Sequence, residues 1–208
     1  MSAPNDPLSL AHWRRTVAEL YAAVRMAGDN DIVNAATRFR AARDRLFAEH
    51  PDSPIPAPAR GSFHGARWFP YDRRWRTVGV VVPARSNTSF NIALSSDGVI
   101  HCVRVATVHF EIGARAAQLA LYWFDLYGGG LWLPFSDATS GDATYGGGRY
   151  LYDTIKGADL GATGDRFVLD FNFAYNPSCA YDDRWSCPLS PAENSLAFAV
   201  DAGEAMPN

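Results

Sequence analysis

Residues 96–112 read SDGVIHCVRVATVHFEI, a turn followed by a long alternating run. From Val99 to Ile112, the residues Ile100, Cys102, Ala106, Val108, Phe110 and Ile112 share one face, and His101, Thr107, His109 and Glu111 share the other. A period of two is the signature of a strand half buried on a sheet. Ser96-Asp97-Gly98 supplies a hairpin turn before the run, and Gly113-Ala114-Arg115 a second turn after it. Arg104 breaks the apolar face. A guanidinium there needs a carboxylate, and Asp137 or Asp170 is the expected partner.

Working outward, further strands are expected at Trp75–Pro83, Thr88–Leu94, Ala116–Leu126, Leu131–Phe135, Gly148–Tyr152, Arg166–Ala174 and Leu196–Ala202. Eight or nine strands at short intervals predict a mostly β (α+β) fold, an antiparallel β-barrel or curled β-sandwich. No alternation of strand with helix suggests a parallel nucleotide-binding sheet. Residues 1–50 carry a helical period instead. One stripe is Leu10, Trp13, Val17, Leu20, Tyr21 and Val24; a second is Ile32, Ala36, Phe39, Ala42 and Leu46. Gly28 and Asp29-Asn30 separate them, which predicts a helical hairpin packed on the sheet. Arg38, Arg40, Arg43 and Arg45 read as its solvated faces. Prolines 51, 54, 56 and 58 make residues 51–62 an extended connector, and residues 63–208 form the β domain.

The composition excludes several classes. The 208 residues are 48% apolar and 20% charged, with a net charge of −3, so neither wholesale disorder nor a nucleic-acid footprint is present. No apolar run approaches a membrane span, and Met1–Leu10 has no secretion signal. Three cysteines are too few for a disulfide scaffold, so reduced thiols and a cytoplasmic location are expected. Eighteen arginines stand against one lysine, Lys156, which reads as a dispensable loop residue and leaves no lysine-based chemistry.

Signatures of hydrolases, zinc proteases, phosphate loops and dithiol motifs are absent. Asp137–Asp142 resembles a calcium loop but has Gly148 where a bidentate Glu is required. His109-x-Glu111 shares a strand face and could bind a metal, but such a pair is more often a solvated face, and no metal ligand is assigned. Two blocks carry more information. In Leu131–Tyr150, three glycines precede Arg149, whose planar fork matches a carboxylate or phosphate; Asp137, Thr144 and Tyr145 accompany it. Alternatively, Asp137 and Arg149 pair to pin a hairpin. In Asp170–Cys187, Asp170 and Asn172 face one side of a strand and two phenylalanines the other, with Tyr175 and Asn176 entering the loop. Asp170 could be a general base or metal ligand there, or simply fasten the loop. Cys179 and Cys187 bracket seven residues and suit a disulfide, a metal pair, a nucleophile or packed thiols.

These blocks also carry a family likeness. TYGGGRY, DFNFAYNP, the paired-cysteine stretch with Pro188 and Pro191, and Glu193-Asn194 through Gly203-Glu204 resemble the Domain of Unknown Function 1684 family. Trp13-Arg-Arg, Arg43-Asp-Arg-Leu-Phe, His50-Pro-x-Ser-Pro54 and Phe69-Pro-Tyr-Asp72 extend the resemblance through the N-terminal half. It implies a cytoplasmic bacterial or archaeal protein and brings no catalytic residues with it.

The functional expectation is a small-molecule pocket at one open end of the barrel. It would be lined by Asp137, Thr144, Tyr145, Arg149, Asn172, Tyr175, Asn176 and Arg104, with Arg149 holding an anionic metabolite. Chemistry there would be hydrolase-like or lyase-like, with Asp170 as base or Cys179 as nucleophile and no organic cofactor. The alternative is a non-catalytic interaction module presenting Trp68, Tyr71 and Trp185. The aromatic content is compatible with a homodimer.

Overall fold

The computed structural model describes residues 6–125 and 127–207. The absence of a secretion signal was read partly on residues outside that range, and the strand end expected at Leu126 lies outside it. Helix α1 (Pro7–Met26) starts where Asp6 accepts a hydrogen bond from Leu8 N at 3.0 Å, with Pro7 in the first turn. Helix α2 (Ile32–Glu49) returns beside it. Seven strands follow among the described residues: β1 (Arg76–Ala93), β2 (Val99–Ile112), β3 (Arg115–Phe124), β4 (Gly130–Phe135), β5 (Arg149–Asp153), β6 (Ala162–Thr163) and β7 (Arg166–Asp170). They form one antiparallel sheet in the order β5-β4-β3-β2-β1-β7-β6.

The sheet curls into a half-barrel. Tyr152 of β5 donates to Val168 O of β7 at 2.7 Å and its ring meets Phe167 at 5.4 Å, so strands far apart in the ladder touch. Inside lies an aromatic core in which Trp132, Tyr122, Tyr150, Phe135 and Phe171 are fully buried, with edge and tilted contacts of 5.2–5.6 Å. Such pairs add about 0.5–1.5 kcal/mol each beyond area burial. Ladder pairing of β3 with β4 covers only Tyr122–Phe124. Farther along, the buried Asn194 side chain bridges Ala120 N, Ala120 O and Pro134 O at 2.7–2.9 Å, doing the work of a missing strand pair.

The helical hairpin closes one end of this half-barrel. Phe39 meets Tyr21 and Phe173 edge-on at 5.1 Å, and Phe47 meets Tyr181 at the same distance. The stripe on α2 is broader than its apolar residues, because Arg43 is buried within it.

Four expectations need correction. Trp75–Pro83 and Thr88–Leu94 are one strand, bent by an irregularity between Pro83 and Thr88. Arg166–Ala174 stops at Asp170, whose carboxylate accepts Asn172 N and turns the chain into a 3-10 helix at Phe171–Phe173. Both sides of that turn are buried, so Asn172 faces no wet cavity. Leu196–Ala202 is not a strand; side chains rather than a ladder satisfy its backbone, as described below. Trp68, Tyr71 and Trp185 are only partly exposed, and the indole nitrogens of both tryptophans are buried.

Two stacked imidazoles tie α1 to the end of α2. His50 is buried, and its ring lies 5.3 Å from that of His12, nearly parallel. Asp52 N donates to His50 Nδ1 at 3.1 Å, so His50 carries its proton on Nε2 and presents it to His12 Nδ1 at 3.1 Å. Burial lowers the His50 pKa; Asp52 opposes this, and His12 and Arg60 reinforce it. A histidine whose folded pKa lies below its unfolded value of about 6.5 stabilises the fold above that pH and loses the contribution as pH falls through the folded value. Urea titrations should therefore show stability declining from about pH 6.5 downward, with a shallower decline in His50→Gln. Identical slopes in the two proteins would refute the assignment.

Candidate functional site

The expected site residues separate into distinct groups. Arg149, 1% exposed, is bound by its own chain through both terminal nitrogens, its Nε alone lacking a partner among the described residues. Its guanidinium donates to Asp137 Oδ2 at 2.8 Å, Val200 O at 2.9 Å, Glu204 O at 3.1 Å and also to Ala202 O. Asp137 Oδ1 accepts from Thr139 N, Thr139 Oγ1 and Val200 N, and Thr139 in turn meets Thr144 Oγ1 at 2.8 Å. These side chains take the place of a strand partner for residues 200–204. Gly148 precedes Arg149 with φ +87°, and a Cβ there would lie 2.8 Å from Phe135 O, so only glycine turns the chain in at this point. Burial lowers the Arg149 pKa, Asp137 opposing it, but an arginine stays charged in any case.

Asp170 is likewise enclosed. It accepts from Tyr71 Oη at 2.9 Å, Arg76 Nη1 at 3.3 Å and both nitrogens of Asn172. Asn172 also exchanges bonds with the Asp72 backbone. Burial raises the Asp170 pKa, and the Asn172, Tyr71 and Arg76 interactions pull against it. Arg104 pairs with neither Asp137 nor Asp170. Its Nη1 reaches Glu193 at 2.7 Å on the surface, since β2 leaves that side chain about a third exposed. Tyr145 and Cys179 meet at 3.4 Å in a separate corner.

Tyr175 and Asn176 lie elsewhere, in a cleft where the helical hairpin meets the end of the half-barrel. Trp13, Val17, Tyr21, Arg43, Phe47 and Lys156 complete its wall with Ala158 and Ser178. Arg43 dominates it. Its Nε donates to Glu204 Oε1 at 2.6 Å, and its guanidinium lies between the rings of Phe47 and Tyr175 at 4.5 and 5.0 Å. Neither terminal nitrogen has a hydrogen-bond partner among the described residues, although the side chain is only 9% exposed. Tyr21 Oη and Asn176 Oδ1, both buried, are also without partners. Unpaired buried polar groups are costly, about 1–3 kcal/mol each, and native proteins keep few of them.

The carboxylate that fixes Arg43 is itself over-determined. Glu204, fully buried, accepts Asn176 N at 2.6 Å and Tyr181 Oη at 3.0 Å on Oε2. Gly203, at φ +78°, passes 2.5 Å (as a Cβ) from Ala174 O and lets the chain deliver Glu204 to this place. Arg149 grips the backbone carbonyl of the same residue. The block read as an anion pocket therefore positions the residue that positions Arg43. Burial disfavours the Arg43 charge, but Glu204 outweighs it and raises the pKa. Burial pushes the Tyr21 and Tyr175 phenols up, so both remain protonated. Lys156, expected to be dispensable, lines the cleft and sits 3.7 Å from Asp153, which also accepts Tyr175 Oη.

The model of a family described as protein of unknown function (DUF1684) matches residues 61–205. The chain belongs to this family. It is also similar to the solution NMR structure of an uncharacterized protein from Haloarcula marismortui. The two share 35% identity over 85% of this chain and 95% of that one, with a TM-score of 0.59. No curated protein matches. In this DUF1684 member the family match includes Glu204, Tyr175 and Asn176, while Arg43, Tyr21 and Trp13 come from the helices before it.

Arg43 and Glu204 are the residues that reading the sequence missed. A signal existed for the first. Arg43 stands four after Phe39 and three before Leu46, in step with the buried stripe of α2. Among the described residues no cluster of three or more His, Cys, Asp or Glu could hold a metal ion, and no helix is long and apolar enough to cross a membrane. Larger cavities, of 590 Å³ beside His12 and His50 and 250 Å³ beside His64 and Tyr181, contain no unpartnered buried side-chain atom among the described residues.

Proposed function

We propose that the protein binds a small molecule through an anionic group, a carboxylate or phosphate, seated on Arg43 at the closed-off end of the half-barrel. The observation that carries this reading is a guanidinium held at Nε by Glu204, on a side chain 9% exposed, whose two terminal nitrogens have no hydrogen-bond partner among the described residues. Their fork geometry matches two oxygens of such a group. Tyr21 Oη adds a donor, and Asn176 Oδ1 supplies an acceptor for a neighbouring hydroxyl or amine of the ligand. The cavity of about 30 Å³ accommodates the anionic group alone, so the rest of the ligand would extend through the mouth past Lys156. Asp137, Thr144 and Arg149 serve this site by holding Glu204. Neither Asp170 nor Cys179 lines the cleft, so the reading is one of binding.

Thermal unfolding with phosphate, acetate, lactate and citrate tests it. A ligand at a hundredfold its dissociation constant stabilises by about 2.7 kcal/mol, a rise of roughly 5–10 °C for a chain of this size. The response should vanish in Arg43→Gln and weaken in Tyr21→Phe, which removes only the unpartnered hydroxyl. A wild-type protein indifferent to all four anions, or variants responding as wild type does, would leave a knitted structural module as the better description.

A further inference from the structure

The loop from Pro177 to Pro188 brings two free thiols together. Cys187 is buried and pinned: its amide donates to Ser95 Oγ at 3.0 Å, and its carbonyl accepts from Ser95 N at 2.8 Å. Leu189 N then binds Ala93 O, tying this side of the loop to β1. Cys179 sits part-exposed in the 3-10 turn Ser178–Ala180. Its sulfur lies 3.4 Å from Tyr145 Oη, with the Cys187 thiol and the Ser95 hydroxyl as its other polar neighbours. The Cys187 hydrogen bond foremost, against burial and with help from Ser95 and Tyr145, holds the Cys179 thiol down to about 6; Cys187 is pushed well above its ordinary value by the same contact and by burial. Cys102, 1% exposed, is pushed up to about 11 by burial and serves as an internal control.

A low-pKa, reachable thiolate next to a second thiol is the arrangement of redox cysteines. The group bonded to the sulfur is a thiol rather than a histidine, which suits resolution as a disulfide better than acyl transfer. A metal would need a third ligand, and none stands nearby among the described residues. We propose that Cys179 and Cys187 form a redox-active pair that reduces small hydroperoxides, Cys179 attacking and Cys187 resolving. The Cys179 thiolate attacks one peroxide oxygen; the S–O bond forms, the O–O bond breaks, and the departing alkoxide takes a proton relayed by the Tyr145 hydroxyl from solvent. Sulfur is oxidised by two electrons to a sulfenic acid, and the hydroperoxide is reduced to an alcohol. The Cys187 sulfur then attacks the sulfenic sulfur; the S–S bond forms, the S–O bond breaks, and hydroxide leaves as water with the thiol's proton. An external dithiol resets the pair by exchange, becoming a disulfide itself.

The test uses the whole reduced protein and hydrogen peroxide, followed by mass spectrometry. One equivalent should remove two hydrogens from the wild type and link the peptides holding Cys179 and Cys187. Cys187→Ser should stop at a sulfenic acid on Cys179 that dimedone traps, and Cys179→Ser should form neither product. Cys179 should be oxidised at least about tenfold faster than Cys102. Tyr145→Phe, which keeps the ring, should slow the step about tenfold. With dithiothreitol present, wild type but not Cys179→Ser should consume peroxide catalytically. Failure of the linkage to form in folded wild type, or equal oxidation of Cys102 and Cys179, would overturn the proposal.

Discussion

Glu204→Gln is expected to lower the unfolding free energy by about 3–5 kcal/mol in urea titrations, close to half the stability of an ordinary domain. The substitution keeps size and shape but strips the charge that compensates Arg43. With side-chain exposures of 9% and 0%, the pair lies in a medium where an uncompensated guanidinium is expensive. Asn176 N and Tyr181 Oη would also face a weaker acceptor. The double variant Arg43→Met/Glu204→Gln should recover part of the loss, because the orphaned charge is then gone. A loss below about 1 kcal/mol for Glu204→Gln would mean that water reaches the pair and compensates the Arg43 charge.

Arg149→Met is the second large effect, again about 3–5 kcal/mol by the same measurement. It strands the Asp137 carboxylate and leaves the carbonyls of Val200, Ala202 and Glu204 without their donor. Arg149→Lys should restore little, since one ammonium cannot span the fork that reaches Asp137 on one side and Glu204 on the other. Because Arg149 holds Glu204 by its backbone, anion responses of the folded lysine variant should fall as well. A lysine variant as stable as wild type would contradict the clamp.

The difference between what the sequence revealed and what it concealed has a physical pattern. Strand β2 was legible because one face packs on the core, although the alternation lapses at Val103–Val105, where the register shifts beside Arg104. The helical hairpin was legible for the same reason at the other period. Leu196–Ala202 misled because alternation was read as a ladder, while Asp137 and Arg149 satisfy its backbone by side-chain bonds made across the fold. Asp170 misled because a carboxylate that caps its own turn looks, in sequence, like one facing a cavity. Tyr175 and Asn176 line the cleft with Arg43 rather than a pocket around Arg149, because the chain turns away from the strand beside them. Arg43 was hidden by its charge. Its stripe position indicated burial, but only the arrival of Glu204 from 161 residues away makes that burial tolerable. Long-range pairing of that kind leaves no local mark.

The central claim is that the unpartnered edge of Arg43 receives an anion, and a crystal structure of the protein soaked in phosphate and small carboxylates tests it most directly. The account predicts density for an oxyanion or carboxylate within hydrogen-bonding distance of both terminal nitrogens of Arg43 and of Tyr21 Oη. The same soak should leave the Arg149 guanidinium bound only to its own chain. Water alone at Arg43, with the anion at another arginine or nowhere, would contradict it.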